Sequence, residues 1–218
     1  MESCQCQGIE QETPNWVENN LKLYRAGTPP PTTALLVNAL SGYNLADRAL
    51  LDIGGGIGVI QLELFRKGVT SATSVEASTA YLEAAQAEAA REGVTDKITT
   101  IHGNFVALAD SVPNADIVTL DRVICCFDEV EKLVSLSASK ARWLYGVTYP
   151  VDSLFNKISI AIENFTYWLR RNPFRAFIHP TRLVNDLVNR AGLRQVYRHT
   201  VFSFPNVWQI VVYERPVR

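Results

Sequence analysis

No apolar stretch in these 218 residues approaches the roughly 18 consecutive positions that would suggest a membrane span. The first 20 residues lack the basic start and apolar run of a secretory signal, and carry Glu2, Glu10, Glu12 and Glu18 instead. A cytoplasmic location is the default expectation. Charge of one sign is also missing: 21 Lys and Arg against 22 Asp and Glu leave a formal net charge of −1. Such a balance offers no footprint for neutralising phosphates, so no nucleic-acid partner is expected. Cysteine is sparse. Cys4, Cys6, Cys125 and Cys126 fall in two close pairs far apart in the chain, and no second CxxC completes a metal site. Reduced thiols and no metal are the expectation. Internal repeats are absent, and low complexity is confined to Thr28-Pro29-Pro30-Pro31-Thr32, which favours extended backbone and cannot continue a helix.

What is present is apolar material, 47% of the chain, enough for one substantial core in one domain. The proline run divides an N-terminal arm and linker, residues 1–33, from a single domain over 34–218. In the arm, Trp16, Val17, Leu21, Leu23 and Tyr24 predict a short amphipathic helix able to pack on the body or cover a ligand. From Ala49 the patterns alternate. Ala49–Ile53, Ser71–Val75, Ile98–Ile101, Asp116–Leu120 and Trp143–Val147 read as strands; Val59–Phe65, Tyr81–Ala90 and Asp128–Ala141 read as helices. Gly68 and Gly93 stop two helices, and Ser78 or Thr79 caps one. After Pro150, Leu154, Ile158, Ala161, Phe165 and Trp168 recur at helical spacing until Asn172-Pro173, an insertion over 150–180 suited to capping a substrate. A helix over Pro180–Ala191 follows, then Val196–Phe204 and Val207–Tyr213, separated by Pro205-Asn206, as a hairpin. The expected architecture is α/β: a doubly wound, mostly parallel seven-stranded sheet with a C-terminal antiparallel hairpin.

In LLDIGGGIGV a buried strand runs into Gly54, Gly55, Gly56 and Gly58 and then a helix, so backbone can approach a ligand where a Cβ would collide. A dinucleotide fingerprint would place glycine where Val59 stands. No Lys-Ser or Lys-Thr pair follows, which removes a phosphate-cradling loop, and Asp52 before the glycines suits a cationic ligand. Glu76 ends the second predicted strand, where a carboxylate can accept two hydrogen bonds from ribose hydroxyls.

The run LLDIGGGIG, followed by SVEAS, HGNF and DIVTLDRVICC, resembles the class I S-adenosylmethionine-dependent methyltransferases in order and spacing. The resemblance implies S-adenosylmethionine as cofactor. It sets Asp52, Gly54 and Gly56 beside the amino-acid end, Glu76 on the ribose, and Ala77 and Ser78 beside the adenine. Gly103, Asn104 and Phe105 would also address the adenine, with Asn104 standing where the family more often has aspartate. Asp121 and Arg122 would lie beside the sulfonium and the acceptor. The DRVICC and NPFRAFIHP segments are faintly similar to magnesium-protoporphyrin methyltransferases.

Methyl transfer to an oxygen, carboxylate or hydroxyl, of an apolar or flat small molecule is the expected function. A non-catalytic binding or interaction module of the same fold is the alternative, and a protein acceptor stays open. His179, before a helix start at the sheet's carboxyl end, suits either a general base or a helix cap, and Asp121 shares the catalytic candidacy. Tyr24, Arg25, Tyr149, Phe165, Arg175 and His179 are the candidate acceptor-binding residues. Cys125 and Cys126 suit either the pocket wall or the core.

Overall fold

A computed structural model describes residues 4–216, with the backbone alone for residues 4–7, 12 and 15; the Cys4 and Cys6 side chains lie outside the described residues. Seven strands form one sheet: β1 (Ala49–Ile53), β2 (Ser71–Glu76), β3 (Ile98–His102), β4 (Ala115–Asp121), β5 (Ala141–Pro150), β6 (Arg194–Ser203) and β7 (Asn206–Glu214). Their order is β3-β2-β1-β4-β5-β7-β6. The first five run parallel, while β7 is antiparallel to both β5 and β6. The expected fold class is the observed one.

Alternation along the central strands explains the layers. Leu51 and Ile53 of β1, Tyr145 and Val147 of β5, and Val211 and Tyr213 of β7 point to one face. There they meet α6 (Val130–Lys140) and α8 (Thr181–Arg190). Leu50, Leu144, Ile210 and Val212 point to the other, against α2 (Pro31–Leu40) and α3 (Val59–Phe65). Because both faces are covered, the strands read as apolar runs in the sequence.

The proline run is where the structure departs most from expectation. Rather than an extended linker, Pro31 opens α2, whose Leu36 and Leu40 are fully buried. A proline at the first helical position loses no hydrogen bond and has its φ already set, so the residue that cannot continue a helix is well suited to begin one. The arm is also longer than expected. It forms α1 (Cys4–Arg25), which tolerates Pro14 within it and lies on α4 (Thr79–Arg91) through Val17, Leu21 and Tyr24. A single turn, α5 (Phe105–Leu108), follows β3.

The insertion forms α7 (Leu154–Leu169), and two asparagines hold it. Asn156, fully buried, donates to the carbonyls of Val151 (2.8 Å) and Val207 (2.7 Å) and accepts from the Val207 amide (2.9 Å). Two turns later, Asn164 donates to the Ala176 carbonyl and accepts from its amide, both at 2.8 Å. Each amide side chain thus replaces a strand partner for backbone that would otherwise be buried unpaired. Asn164→Ala strands both polar groups of the buried Ala176 and is expected to cost about 1–3 kcal/mol. The check is urea unfolding; an unchanged midpoint would show that the 173–178 segment does not depend on the clamp.

Candidate functional site

A cavity of about 790 Å³ opens at the carboxyl ends of β1 and β4, where the strand order reverses, the place where open α/β sheets leave a crevice. Its floor is the glycine turn. Gly54 and Gly56 have φ of 65° and 56°, backbone that side chains other than glycine rarely adopt. At Gly54 a Cβ would come within 2.5 Å of Val123. Gly55 is constrained from beneath: a Cβ there would stand 2.5 Å from Asp52 Oδ2 and 2.7 Å from Gln61 Nε2.

Asp52 therefore does not face the cavity as expected. It is fully buried below the turn, where its Oδ1 accepts from Thr119 Oγ1 (2.7 Å) and its Oδ2 from Gln61 Nε2 (3.1 Å). Gln61 also donates to Ser74 Oγ (3.0 Å). Burial pushes the Asp52 carboxyl up to about 6, against the pull of the Thr119 and Gln61 hydrogen bonds.

Glu76 does line the cavity. Its Oε2 accepts from the Gly56 amide (3.0 Å) and its Oε1 from the Ser78 amide (2.9 Å). Burial outweighs the backbone bonds and raises this carboxyl to about 7. The Ala77 amide also draws on this carboxylate, whose two oxygens still keep acceptor capacity for a further donor such as a ribose hydroxyl. Ala77, Gly103, Asn104 and Phe105 line the same wall. The Asn104 Oδ1 also caps α5 by accepting from Val106 N (3.0 Å), so an adenine amine would share that oxygen with the cap. Ser78, by contrast, is withdrawn. It is fully buried, caps α4 at Tyr81 N and shares a 2.6 Å hydrogen bond with Thr13 of α1. Gly58 likewise serves the start of α3 rather than the lining.

On the opposite wall Asp121 accepts hydrogen bonds from Thr33 Oγ1 (2.5 Å) and Thr148 Oγ1. Arg122 follows with φ of 62°, a strained value for arginine, and its guanidinium carbon lies 5.6 Å from the Trp208 ring centroid. Cys125 and Cys126 both line the cavity, their sulfurs 3.9 Å apart. The Cys126 bond and burial raise the Cys125 thiol well above its ordinary value. Among the described residues no cluster of three or more His, Cys, Asp or Glu side chains could hold a metal ion.

None of the six candidate acceptor residues lines this cavity. His179 is half-buried beside it, with Nε2 2.9 Å from the Phe127 carbonyl and its ring stacked on Phe177. Burial lowers its pKa despite bonds to the carbonyls of Phe127 and Ile124. Tyr149 belongs to the core beneath the sheet. Tyr24 and Arg25 face a second cavity of about 420 Å³, and Arg25 pairs with Glu88. Phe165 sits on the outer side of α7, 59% exposed, and Arg175 is engaged with the carbonyls of Asn172 and Phe174. Helix phase explains the displacement of Tyr24, Arg25 and Phe165, since residues one or two positions apart on a helix point to different sides.

The roof comes from the two helices expected to cover a ligand, but, Trp16 and Leu23 apart, from residues not singled out on them. Ile9, Thr13, Trp16, Asn20 and Leu23 of α1 and Ile160, Glu163 and Tyr167 of α7 all face the cavity. Both helices were expected to cover a ligand; which of their faces does so was not legible from spacing. Thr32 at the start of α2 and Asn206 at the hairpin tip lacked any local signal. Thr32 Oγ1 and Asn206 Oδ1 are buried lining atoms with no hydrogen-bond partner among the described residues, as expected of groups that meet a polar ligand.

Residues 51–138 match the family profile described as a methyltransferase domain. The ribosomal protein L11 methyltransferase of Shewanella sediminis is 32% identical over 68 residues, 31% of this chain and 23% of that protein. The chain thus spans under a quarter of the length of this curated relative. Among solved structures, magnesium protoporphyrin IX methyltransferase from Synechocystis PCC 6803 with bound SAH superposes with a TM-score of 0.69. It is 17% identical and covers 85% of this chain and 82% of its own. Geranyl diphosphate methyltransferase in complex with SAM gives a TM-score of 0.66 at 12% identity, with 84% of each chain covered. A methyltransferase-domain profile thus covers residues 51–138, and the seven-stranded sheet has the class I methyltransferase fold.

The buried Asp52 carboxyl gives a pH prediction. With a folded pKa near 6 against 3.8 unfolded, the folded state holds a proton that the unfolded state has lost, so stability falls as pH rises from about 4 to about 6. Asp52→Asn keeps a partner for both Gln61 and Thr119 and removes that penalty. At pH 8 it is expected to raise stability by on the order of 1–3 kcal/mol and to flatten the acid limb. Urea midpoints across pH decide it; a lower midpoint at pH 8 would count against the protonated knot.

Proposed function

We propose that the protein transfers a methyl group from S-adenosylmethionine to an oxygen, most simply a carboxylate, of a flat or apolar small molecule. The observation that carries the reading is one cavity whose lining has two chemically distinct parts. One part joins the glycine turn, Glu76, Asn104 and Phe105; the other is walled by Trp16, Tyr167, Phe174 and Trp208, with Arg122 at its edge. The volume lies within the roughly 300–1,000 Å³ of small-molecule sites.

In this reading Glu76 receives the ribose hydroxyls, the turn backbone lies along the amino-acid end, and Phe105 and Ala77 flank the adenine. When bound, S-adenosylmethionine supplies a methyl group whose leaving sulfur is already activated by its positive charge. The protein's work is then orientation. Holding the reacting atoms in line is worth about 7–11 kcal/mol in well-oriented systems. Arg122 is placed to hold an acid group, and the aromatic walls to hold a flat body. A carboxylate needs no base, which agrees with the tie between His179 and the Phe127 carbonyl. Similarity to the L11 enzyme of Shewanella sediminis extends over 31% of this chain and 23% of that protein, too little to carry its acceptor over to this chain.

Transfer of labelled methyl groups from the donor to a panel of apolar carboxylic acids is the direct test. Glu76→Ala is expected to lower donor binding and transfer at least about tenfold, since charge-assisted hydrogen bonds are lost. His179→Ala is expected to stay within about threefold of the parent, whereas a hydroxyl acceptor served by a base would show the ~10²–10⁴-fold loss typical of general-base catalysis. Donor binding without transfer to any acid would return the chain to the non-catalytic alternative.

Binding should also be linked to protons. Ribose hydroxyls donate to the ionised carboxylate, so the ligand draws the Glu76 pKa down from about 7 and a proton leaves near pH 7. Affinity then rises with pH up to about 7 and levels off above it, and calorimetry in buffers of different ionisation enthalpy reports the release. Proton uptake, or none, would place the ribose elsewhere.

A further inference from the structure

Helix α7 presents apolar side chains on both sides. Ile160 and Tyr167 face the cavity, whereas Leu154, Ile158, Ile162, Phe165, Trp168 and Leu169 stand exposed, Ile162 by 61% and Leu154 by 74%. At 100° per residue these six fall within an arc of about 120°, along a helix about 24 Å long. Isolated surface hydrophobes need no explanation, but a contiguous stripe of this size marks an interaction surface. The β6–β7 hairpin, which Asn156 ties to α7 at Val207, exposes a further apolar side chain at its tip, Phe204 by 87%.

The charges beside the patch identify what it meets. Four cationic and two acidic side chains fall between residues 150 and 180, in a chain of net charge −1. Lys157 is paired with Asp152, and Arg170 and Arg171 stand exposed at the end of α7, next to Trp168 and Leu169. A convex apolar stripe ending in tryptophan and arginines is the composition of a helix that lies in a lipid interface. We propose that α7 and the hairpin tip dock on the surface of an anionic lipid bilayer.

The consequence for the acceptor rests on the methyl-transfer reading. Ile160, Glu163 and Tyr167 of α7 and Asn206 and Trp208 of the hairpin line the cavity, so the docked face and the cavity wall belong to the same elements. The acceptor class that fits is an apolar acid dissolved in the bilayer, reaching the cavity past this wall rather than through water.

The test uses the full chain with vesicles of phosphatidylcholine alone and of an equal mixture of phosphatidylcholine and phosphatidylglycerol. Co-sedimentation is expected with the mixed vesicles, at least about tenfold weaker with phosphatidylcholine alone or at high salt. Ile158→Ser with Ile162→Ser should weaken binding to the mixed vesicles by about tenfold or more. Arg170→Glu with Arg171→Glu should abolish the preference for anionic lipid. Unchanged melting of both double variants, and donor binding equal to the parent's, would show that only docking was altered. A parent that stays in the supernatant with both vesicles overturns the proposal. So does a concentration-dependent dimer that Ile158→Ser with Ile162→Ser dissolves, because the occupant would then be a second copy. Vesicle binding by a protein that does not bind the donor would sink the methyl-transfer reading and leave the docking face standing.

Discussion

A chain of hydrogen bonds begins in the core and ends in the roof of the cavity, and the rest of the site is hung on it. It starts at Asp52, whose buried carboxyl joins β1 to β4 through Thr119 and to α3 and β2 through Gln61 and Ser74. This knot fills the space under Gly55, so the turn is fixed in height and must be glycine. The turn then offers the Gly56 amide to Glu76, and Glu76 takes the Ser78 amide. Ser78 caps α4 and bonds Thr13, which brings α1 over the cavity. Removing water from so many polar groups is costly unless every partner is in place, so the network specifies one arrangement of β1, β2, β4, α1, α3 and α4 rather than simply adding stability.

The acceptor side is built on different anchors. Thr33 and Thr148 converge on Asp121, fastening the first turn of α2 to the ends of β4 and β5. Asn156 and Asn164 fasten α7 by imitating strand partners. These ties do not pass through the knot. The donor half and the acceptor wall can therefore vary separately, which fits a profile match that ends at residue 138 while the sheet-wide likeness extends over most of the chain.

The proposed division of labour follows from this construction. A rigid, polar, hydrogen-bonded floor suits a ligand that must be held in one orientation. An aromatic wall carried by one amphipathic helix and one hairpin suits an apolar partner. The same helix exposes a second apolar face, and a lipid surface would satisfy it without adding an element to the fold.

What the sequence by itself determined was the sheet and its turn. Central strands buried on two faces must read as apolar runs, and a backbone that bends at positive φ favours glycine, so all seven strands were placed to within a few residues at their ends and the Gly54–Gly58 turn was legible. Glu76 was legible too, because it stands at a strand end where topology alone predicts a crevice. Tertiary structure decided which side of each side chain faces the cavity. Asp52 looked like a ligand-facing carboxylate and lies beneath the floor; Tyr24, Arg25 and Phe165 looked like a cap and point away from it. Thr32, Asn206 and the start of α2 at Pro31 had no local signature. Spacing along a chain fixes the period of an element, but its rotation about its own axis is set by what it packs against, and those partners are distant in sequence.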